Sequence, residues 1–199
     1  MGVANVEYLI PSWDDIYEMC IQIADQIRKS GFKPDLIVAV ARGGWIPGRI
    51  MSDLLSNSNV ASLKTEFYKD VAETGKKPII SQKVSASVKG KRVLVVDDVA
   101  DTGESLKVVR EYLSRLKPKE VRIATLHYKP KSVLKPDYYS DQTDAWIVYP
   151  HERREFVNSA VKKFRKDGVS LEEAKRELKR IGLDPRISDR FLEESWTML

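Results

Sequence analysis

Apolar residues at Ile16, Met19, Cys20, Ile23 and Ile27 return at the spacing of one helix face. Ser12 ahead of Trp13-Asp14-Asp15 supplies an N-cap with acids in the first turn, and Gly31 supplies the stop. The pattern then changes. Leu36-Ile37-Val38-Ala39-Val40 is apolar without interruption, which predicts a short strand buried on both faces. Ala41-Arg42-Gly43-Gly44 breaks the run. Pro47 then reads as the first residue of a second helix carrying Ile50, Leu54 and Leu55, because proline lacks only an N–H that the first helical position leaves unbonded. A strand over 60–67 leads into a polar stretch with Gly75 and Pro78 and no clear period, read as a mobile loop before another strand near 79–84.

Arg92-Val93-Leu94-Val95-Val96 is the second strongly buried strand, and after residues 97–105 a helix carries Leu106, Val109, Leu113 and Leu116 on one face. Strands follow over 121–126 and 145–149. Helical spacing then covers 152–166 and 170–181, with Ser170-Leu171-Glu172-Glu173 as a capping box, and a shorter helical piece follows Pro185. This alternation predicts an α/β fold: an open, mostly parallel, twisted sheet flanked by helices, with a C-terminal helical extension. Ligands of such sheets bind outside the carboxyl ends of the strands.

At 199 residues and 42% hydrophobic content the chain can bury one substantial core and still carry an appendage. It has no apolar run long enough to span a bilayer and no charged-then-apolar start, so a cytoplasmic protein without a membrane partner is expected. Cys20 lies on the apolar helix face and reads as a small core residue. The net charge of +5 is unevenly spread. Seven lysines fall between Lys64 and Lys91 against Glu66, Asp70 and Glu73, whereas residues 151–199 mix twelve Lys/Arg with ten Asp/Glu. A mixed tail of this kind belongs to solvated helix faces rather than to a segregated basic surface, and no nucleic-acid partner is expected.

Residues 93–105 carry the chemistry. Thr102-Gly103-Glu104-Ser105 opens a helix, where free N–H groups and the dipole favour an anion, and the Thr and Ser hydroxyls add donors. Asp97 and Asp98 at the end of the preceding strand would repel a bare phosphate. They suit the diol of a ribose attached to it, whose hydroxyl protons they can accept, or a Mg²⁺ ion held through oxygen. Arg42 supplies charge while Gly43-Gly44 let backbone N–H groups approach an anion closely. Gly43 and Gly48 have the separation of a P-loop, but Arg49-Ile50 stands where that loop needs Lys-Ser/Thr.

The run Val93-Leu94-Val95-Val96-Asp97-Asp98-Val99-Ala100-Asp101-Thr102-Gly103 resembles the phosphoribosyl pyrophosphate (PRPP) motif of type I phosphoribosyltransferases. Ala41-Arg42-Gly43-Gly44 resembles the pyrophosphate loop of that family. Tyr128-Lys129-Pro130 and Asp144-Ala145-Trp146-Ile147 resemble the base pocket of its 6-oxopurine members, especially the bacterial xanthine-guanine type. Ser12-Trp13-Asp14-Asp15 resembles the opening of that subfamily. The resemblance implies a phosphoribosyltransferase domain over 1–156 and leaves 157–199 as the helical extension.

The resemblance also implies a purine salvage enzyme that turns guanine, hypoxanthine or xanthine, with PRPP and Mg²⁺, into a nucleotide and pyrophosphate. In that reading Asp97, Asp98, Ala100, Asp101, Thr102, Gly103, Glu104 and Ser105 hold the ribose phosphate. Residues Ala41, Arg42, Gly43 and Gly44 hold the pyrophosphate, with a cis peptide at Ala41–Arg42. Asp101 exchanges a proton with purine N7, Lys129 contacts O6, Trp146 stacks on the base and carbonyls near Ile147 read its 2-position. Asp97, Asp98 and Glu152 are the metal candidates, and the lysine-rich loop over 69–78 closes over the site. Three features depart from the family: the loop over 69–78 matches only in character, Glu104 follows Gly103 where many relatives carry glycine or a basic residue, and Glu152 stands where Asp is usual. A homodimer or homotetramer is expected. The alternatives are a relative acting on adenine or another base, and a PRPP-sensing regulator that binds nucleic acid through the tail.

Overall fold

In a computed structural model that describes residues 6–69 and 76–198, the chain runs β1 (Tyr8–Leu9), α1 (Trp13–Lys29), β2 (Leu36–Ala41), α2 (Trp45–Leu54), β3 (Val60–Lys69), β4 (Lys76–Gln82), β5 (Arg92–Ala100), α3 (Glu104–Arg115), β6 (Glu120–Tyr128), β7 (Tyr138–Gln142), β8 (Trp146–Ile147), α4 (Arg153–Lys166), α5 (Leu171–Arg180) and α6 (Pro185–Met198). It divides into two compact units, residues 14–144 and residues 1–13 with 145–199.

The first unit is built on a six-stranded sheet of order β4-β3-β2-β5-β6-β7, parallel throughout except for the β3–β4 pair. All six residues of β2 are buried, as an uninterrupted apolar strand in the middle of such a sheet must be. Leu36, Val38, Val93, Val95, Leu106, Val109, Leu113 and Ile123 form the core between strands and helices. Each such side chain contributes about 1.5–3 kcal/mol on full burial. The buried face of α1 is Ile16, Cys20, Ile23, Ala24 and Ile27, matching the apolar spacing. Burial pushes the Cys20 thiol up to about 12, which makes it inert at neutral pH.

From β2 the chain passes through α2 to β3 on one side, and from β5 it passes through α3 to β6 on the other. Since β2 and β5 are neighbours, the strand order reverses between them. The carboxyl ends of these two strands therefore flank the crevice where a ligand can enter such a sheet.

Several elements differ from their sequence expectations. Helix α2 starts at Trp45, so Pro47 is its third residue, still within the turn whose N–H groups lack helical partners. Strand β5 continues to Ala100, because Asp97, Val99 and Ala100 pair with Thr125, His127 and Tyr128. Residues Lys69 and Lys76 face each other across the β3–β4 hairpin, which takes strand structure into both ends of the expected loop; residues 70–75 lie outside the described residues. Strand β7 is an addition at the sheet edge. The strand expected over 145–149 is reduced to β8, which pairs in parallel with β1 in a separate two-stranded sheet.

The second unit joins that small sheet to α4, α5 and α6. Its core is Val148, Val157, Val161, Phe164, Ala174, Leu178, Leu183 and Leu192, with Tyr8 edge-on to Phe156. The expected boundary after residue 156 falls inside α4, whose residues Val157 and Val161 pack in the same core as Val148. The capping box forms: the Glu173 N–H donates to Ser170 Oγ at 3.3 Å, and the Ser170 N–H donates to the Glu173 carboxylate at 2.9 Å. Helix α6 is a full 14 residues, longer than the short piece expected, with Leu192 anchoring it. Among the described residues no helix is long and apolar enough to cross a membrane.

Candidate active site

The crevice between β2 and β5 is lined first by the turn after β2. The Ala41–Arg42 peptide is cis, as the resemblance implied, and Arg42 is exposed at the turn. A β-carbon on Gly43 would sit 2.1 Å from an Asp98 carboxylate oxygen, and one on Gly44 would sit 2.3 Å from the Val96 carbonyl. A β-carbon at position 44 would force backbone of β5 or β2 to shift, and one at position 43 would force the Asp98 side chain to move, so the turn and the acidic strand end touch through the space two glycines leave.

Asp97 and Asp98 are consecutive in β5, and their carboxylates lie close enough to act on each other. Asp98 is buried, and its N–H donates to the Asp97 carboxylate at 3.0 Å. Burial, and then the Asp98 charge, push Asp97 well above the usual carboxylate range, opposed in part by the Asp98 and Gly44 backbone. Two acids crowded this way call for a positive or hydroxyl-bearing partner. Their donor set is all oxygen, and no group of three or more His, Cys, Asp or Glu among the described residues is placed to hold a metal. Two carboxylates fit a Mg²⁺ ion that takes its remaining ligands from substrate and water.

Beyond Ala100 the chain turns into α3. Gly103 has φ +77°, and a β-carbon there would also lie 2.2 Å from Ser132 Oγ and 2.7 Å from the Leu134 nitrogen. As the residue preceding α3 it brings no side chain to the first-turn N–H groups, which leaves the positive end of a 12-residue helix facing the turn. Thr102 Oγ1 accepts from the Glu104 N–H at 3.4 Å. The Glu104 side chain is exposed and Ser105 is half-buried.

The turn after β6 is fastened onto this loop. The Lys129 N–H donates to the Ala100 carbonyl at 3.0 Å and the Val133 N–H to the Thr102 carbonyl at 2.8 Å. Ser132 N–H closes on the Lys129 carbonyl at 2.9 Å, so residues 129–132 form a β-turn with Pro130 at its second position. That turn brings both its lysines to one carboxylate oxygen, Asp101 Oδ1: Lys129 Nζ is 3.3 Å away and Lys131 Nζ 3.1 Å away. Lys129 is only 5% exposed. Burial pushes Asp101 up, but Lys131 and Lys129 together outweigh it and hold the carboxyl below its usual range. Lys131 was not singled out in the sequence, although a lysine two positions past Lys129, across a proline, is what such a turn would bring round.

Within residues 14–144, then, the structure gathers Ala41 to Gly44, Asp97 to Ser105 and Lys129. Trp146, Ile147 and Glu152 belong to the other unit. Trp146 on β8 lines a cavity of about 460 Å³ with Tyr8, Phe156 and Phe164, and Ile147 is buried. Glu152 accepts from the Tyr149 N–H at 3.3 Å at the start of α4.

Residues 12–153 match the model of the phosphoribosyl transferase domain. A xanthine-guanine phosphoribosyltransferase of Idiomarina loihiensis is 31% identical over 150 residues, 74% of this chain and 88% of that protein. The crystal structure of a purine phosphoribosyltransferase from Pyrococcus horikoshii superposes with a TM-score of 0.67 at 38% identity, over 73% of this chain and 93% of that one. A Neisseria gonorrhoeae protein solved with bound ppGpp shares the fold over 95% of this chain and 97% of its own, with a TM-score of 0.68 at 23% identity. The shared fold therefore extends into the C-terminal helices.

Proposed function

The chain belongs to the type I phosphoribosyltransferase family, and we propose that it is a purine salvage enzyme that joins a 6-oxopurine base to the ribose 5-phosphate of PRPP, releasing pyrophosphate. The observation that carries the base class is Lys129: an ammonium 5% exposed and 3.3 Å from a carboxylate in the crevice mouth. A buried cation of this kind donates hydrogen bonds and accepts none. It suits the O6 oxygen of guanine, hypoxanthine or xanthine, and opposes the amino group that adenine presents there.

In this reading the open N–H groups at the start of α3, with Thr102 and Ser105, take the 5-phosphate. Asp97 and Asp98 take the ribose hydroxyls, while Arg42 and the Gly43-Gly44 backbone take the pyrophosphate. The same two aspartates would hold a Mg²⁺ ion, which when bound would supply positive charge that eases departure of the pyrophosphate. Base N9 bonds to C1′ as the C1′–oxygen bond to pyrophosphate breaks, its electron pair leaving with the pyrophosphate. The N7–H proton passes to Asp101, which the two lysines keep ionised until then. Stacking by Trp146, reading of the 2-position near Ile147 and a supporting acid at Glu152 complete the proposal, together with a cytoplasmic setting and a homo-oligomeric state.

Pyrophosphate release should be measured with guanine, hypoxanthine, xanthine, adenine and uracil at equal PRPP and Mg²⁺. An unpaired buried donor costs about 1–3 kcal/mol, so at least one 6-oxopurine should exceed adenine by tenfold to about a hundredfold in kcat/KM. Faster turnover of adenine or uracil would overturn the assignment of Lys129.

A further inference from the structure

Lys131 is more than half exposed, and yet its ammonium approaches Asp101 Oδ1 more closely than the buried Lys129 does. Two cations on one carboxylate oxygen raise a question of division of labour. If Lys129 serves O6 of a bound base, it must turn at least partly away from Asp101. The carboxylate would then lose a neutralising partner at the moment it has to stay ionised and correctly aimed. The turn at Pro130 supplies a second one.

We infer that Lys131 is a positioning residue for Asp101: it stays paired with the carboxylate when Lys129 turns to the base, so that the proton acceptor keeps its charge and its place. This rests on the reading of Asp101 as the general base given above. The charged groups acting on Asp101 are Lys129 at the end of β6 and Lys131 in the turn beyond it. Glu104, in the first turn of α3, points to solvent. Because Lys131 remains in water, holding it there costs little, and its effect on the carboxylate is of the size expected for an exposed pair.

The test is the pH dependence of kcat/KM for the base with PRPP saturating. Asp101 must be ionised to accept the N7 proton, so activity falls as pH drops through its titration. Lys131→Met removes a partner that favours the ionised form and should move that acidic limb to higher pH by about 0.2–0.7 unit. Lys131→Arg should keep the limb close to its original position. Raising the salt concentration should move the wild-type limb in the same direction as Lys131→Met and move that variant less. A Lys131→Met limb that superimposes on the wild type, or a Lys131→Arg limb displaced as far as that of Lys131→Met, overturns the inference. Asp101→Asn is measured alongside. Loss of turnover in that variant with no movement in Lys131→Met rejects the role of Lys131 alone, whereas full turnover in Asp101→Asn rejects the general base and with it the ground for Lys131.

Discussion

Lys129 and Arg180 each face a carboxylate, at 3.3 Å from Asp101 and 2.8 Å from Glu177, but the first side chain is 7% exposed and the second 54%. The contrast holds more widely between the turns at the mouth of the six-stranded sheet and the C-terminal helices. In the helices, Arg154 with Glu194, Lys175 with Glu193 and Arg180 with Glu177 sit on the water side of an apolar core, and their charges are screened. At the sheet mouth, Asp98 and Lys129 have lost most of their solvation, beside a half-exposed Asp101 and an exposed Lys131. Burying an ion costs far more than a surface pair returns, so such a cluster persists where chemistry needs it. The helices spend apolar area on stability; the crevice spends stability on charge.

The sharpest way to break this contrast is Asp101→Asn. The amide keeps the shape and can still face the lysines, but it cannot take a proton. We expect kcat to fall by about 10²–10⁴ while PRPP still binds, checked by steady-state kinetics and by calorimetric titration with PRPP. Unchanged turnover would reduce Asp101 to a turn residue and leave the crevice no different in kind from the helices.

The next largest effect belongs to the helical core. Phe164 is 3% exposed among Val157, Val161 and Leu178, and Phe164→Ala should destabilise the protein by about 3–5 kcal/mol in urea or thermal unfolding. The ranking of the five bases should survive below the unfolding transition. A changed ranking would show that these helices take part in base selection. The smallest effect is Arg180→Ala, which removes one exposed ion pair and should leave the melting temperature within experimental error. A clear drop would mean that the surface pairs of this unit work as a network.

The parts of the fold that were readable from the chain are those where local pattern and tertiary demand agree. The uninterrupted apolar run of β2, the spaced apolar face of α1 and the Ser170 capping box each carry their own reason for forming. Elements set by their neighbours were not readable. Tyr138-Tyr139-Ser140-Asp141-Gln142 is polar and becomes β7 only because β6 offers an edge. The apolar run of β5 stops at Val96, and the strand continues to Ala100 because pairing with β6 holds it there. Asp97 and Asp98 could be named as candidates from their side-chain type beside a helix N-terminus, whereas Asp101 and Lys129 could be named only from the resemblance, because a cap acid and a loop lysine look the same in sequence. Lys131 was hidden because its part depends on the β-turn that brings it back, which is a property of backbone direction rather than of residue type.

The close approach of Gly43 to Asp98 has a consequence for how this molecule can vary. The space a β-carbon would need at position 43 is already filled by a carboxylate from another strand, 2.1 Å away. A larger residue at 43 would require the Asp98 carboxylate to move aside, and that carboxylate is one of the two acids proposed for the ribose hydroxyls. Residue 43 is therefore coupled to the placing of that carboxylate: a side chain added there would displace the acid without altering its charge. Efforts to widen the side of the crevice proposed for pyrophosphate should start from Arg42, whose side chain is exposed.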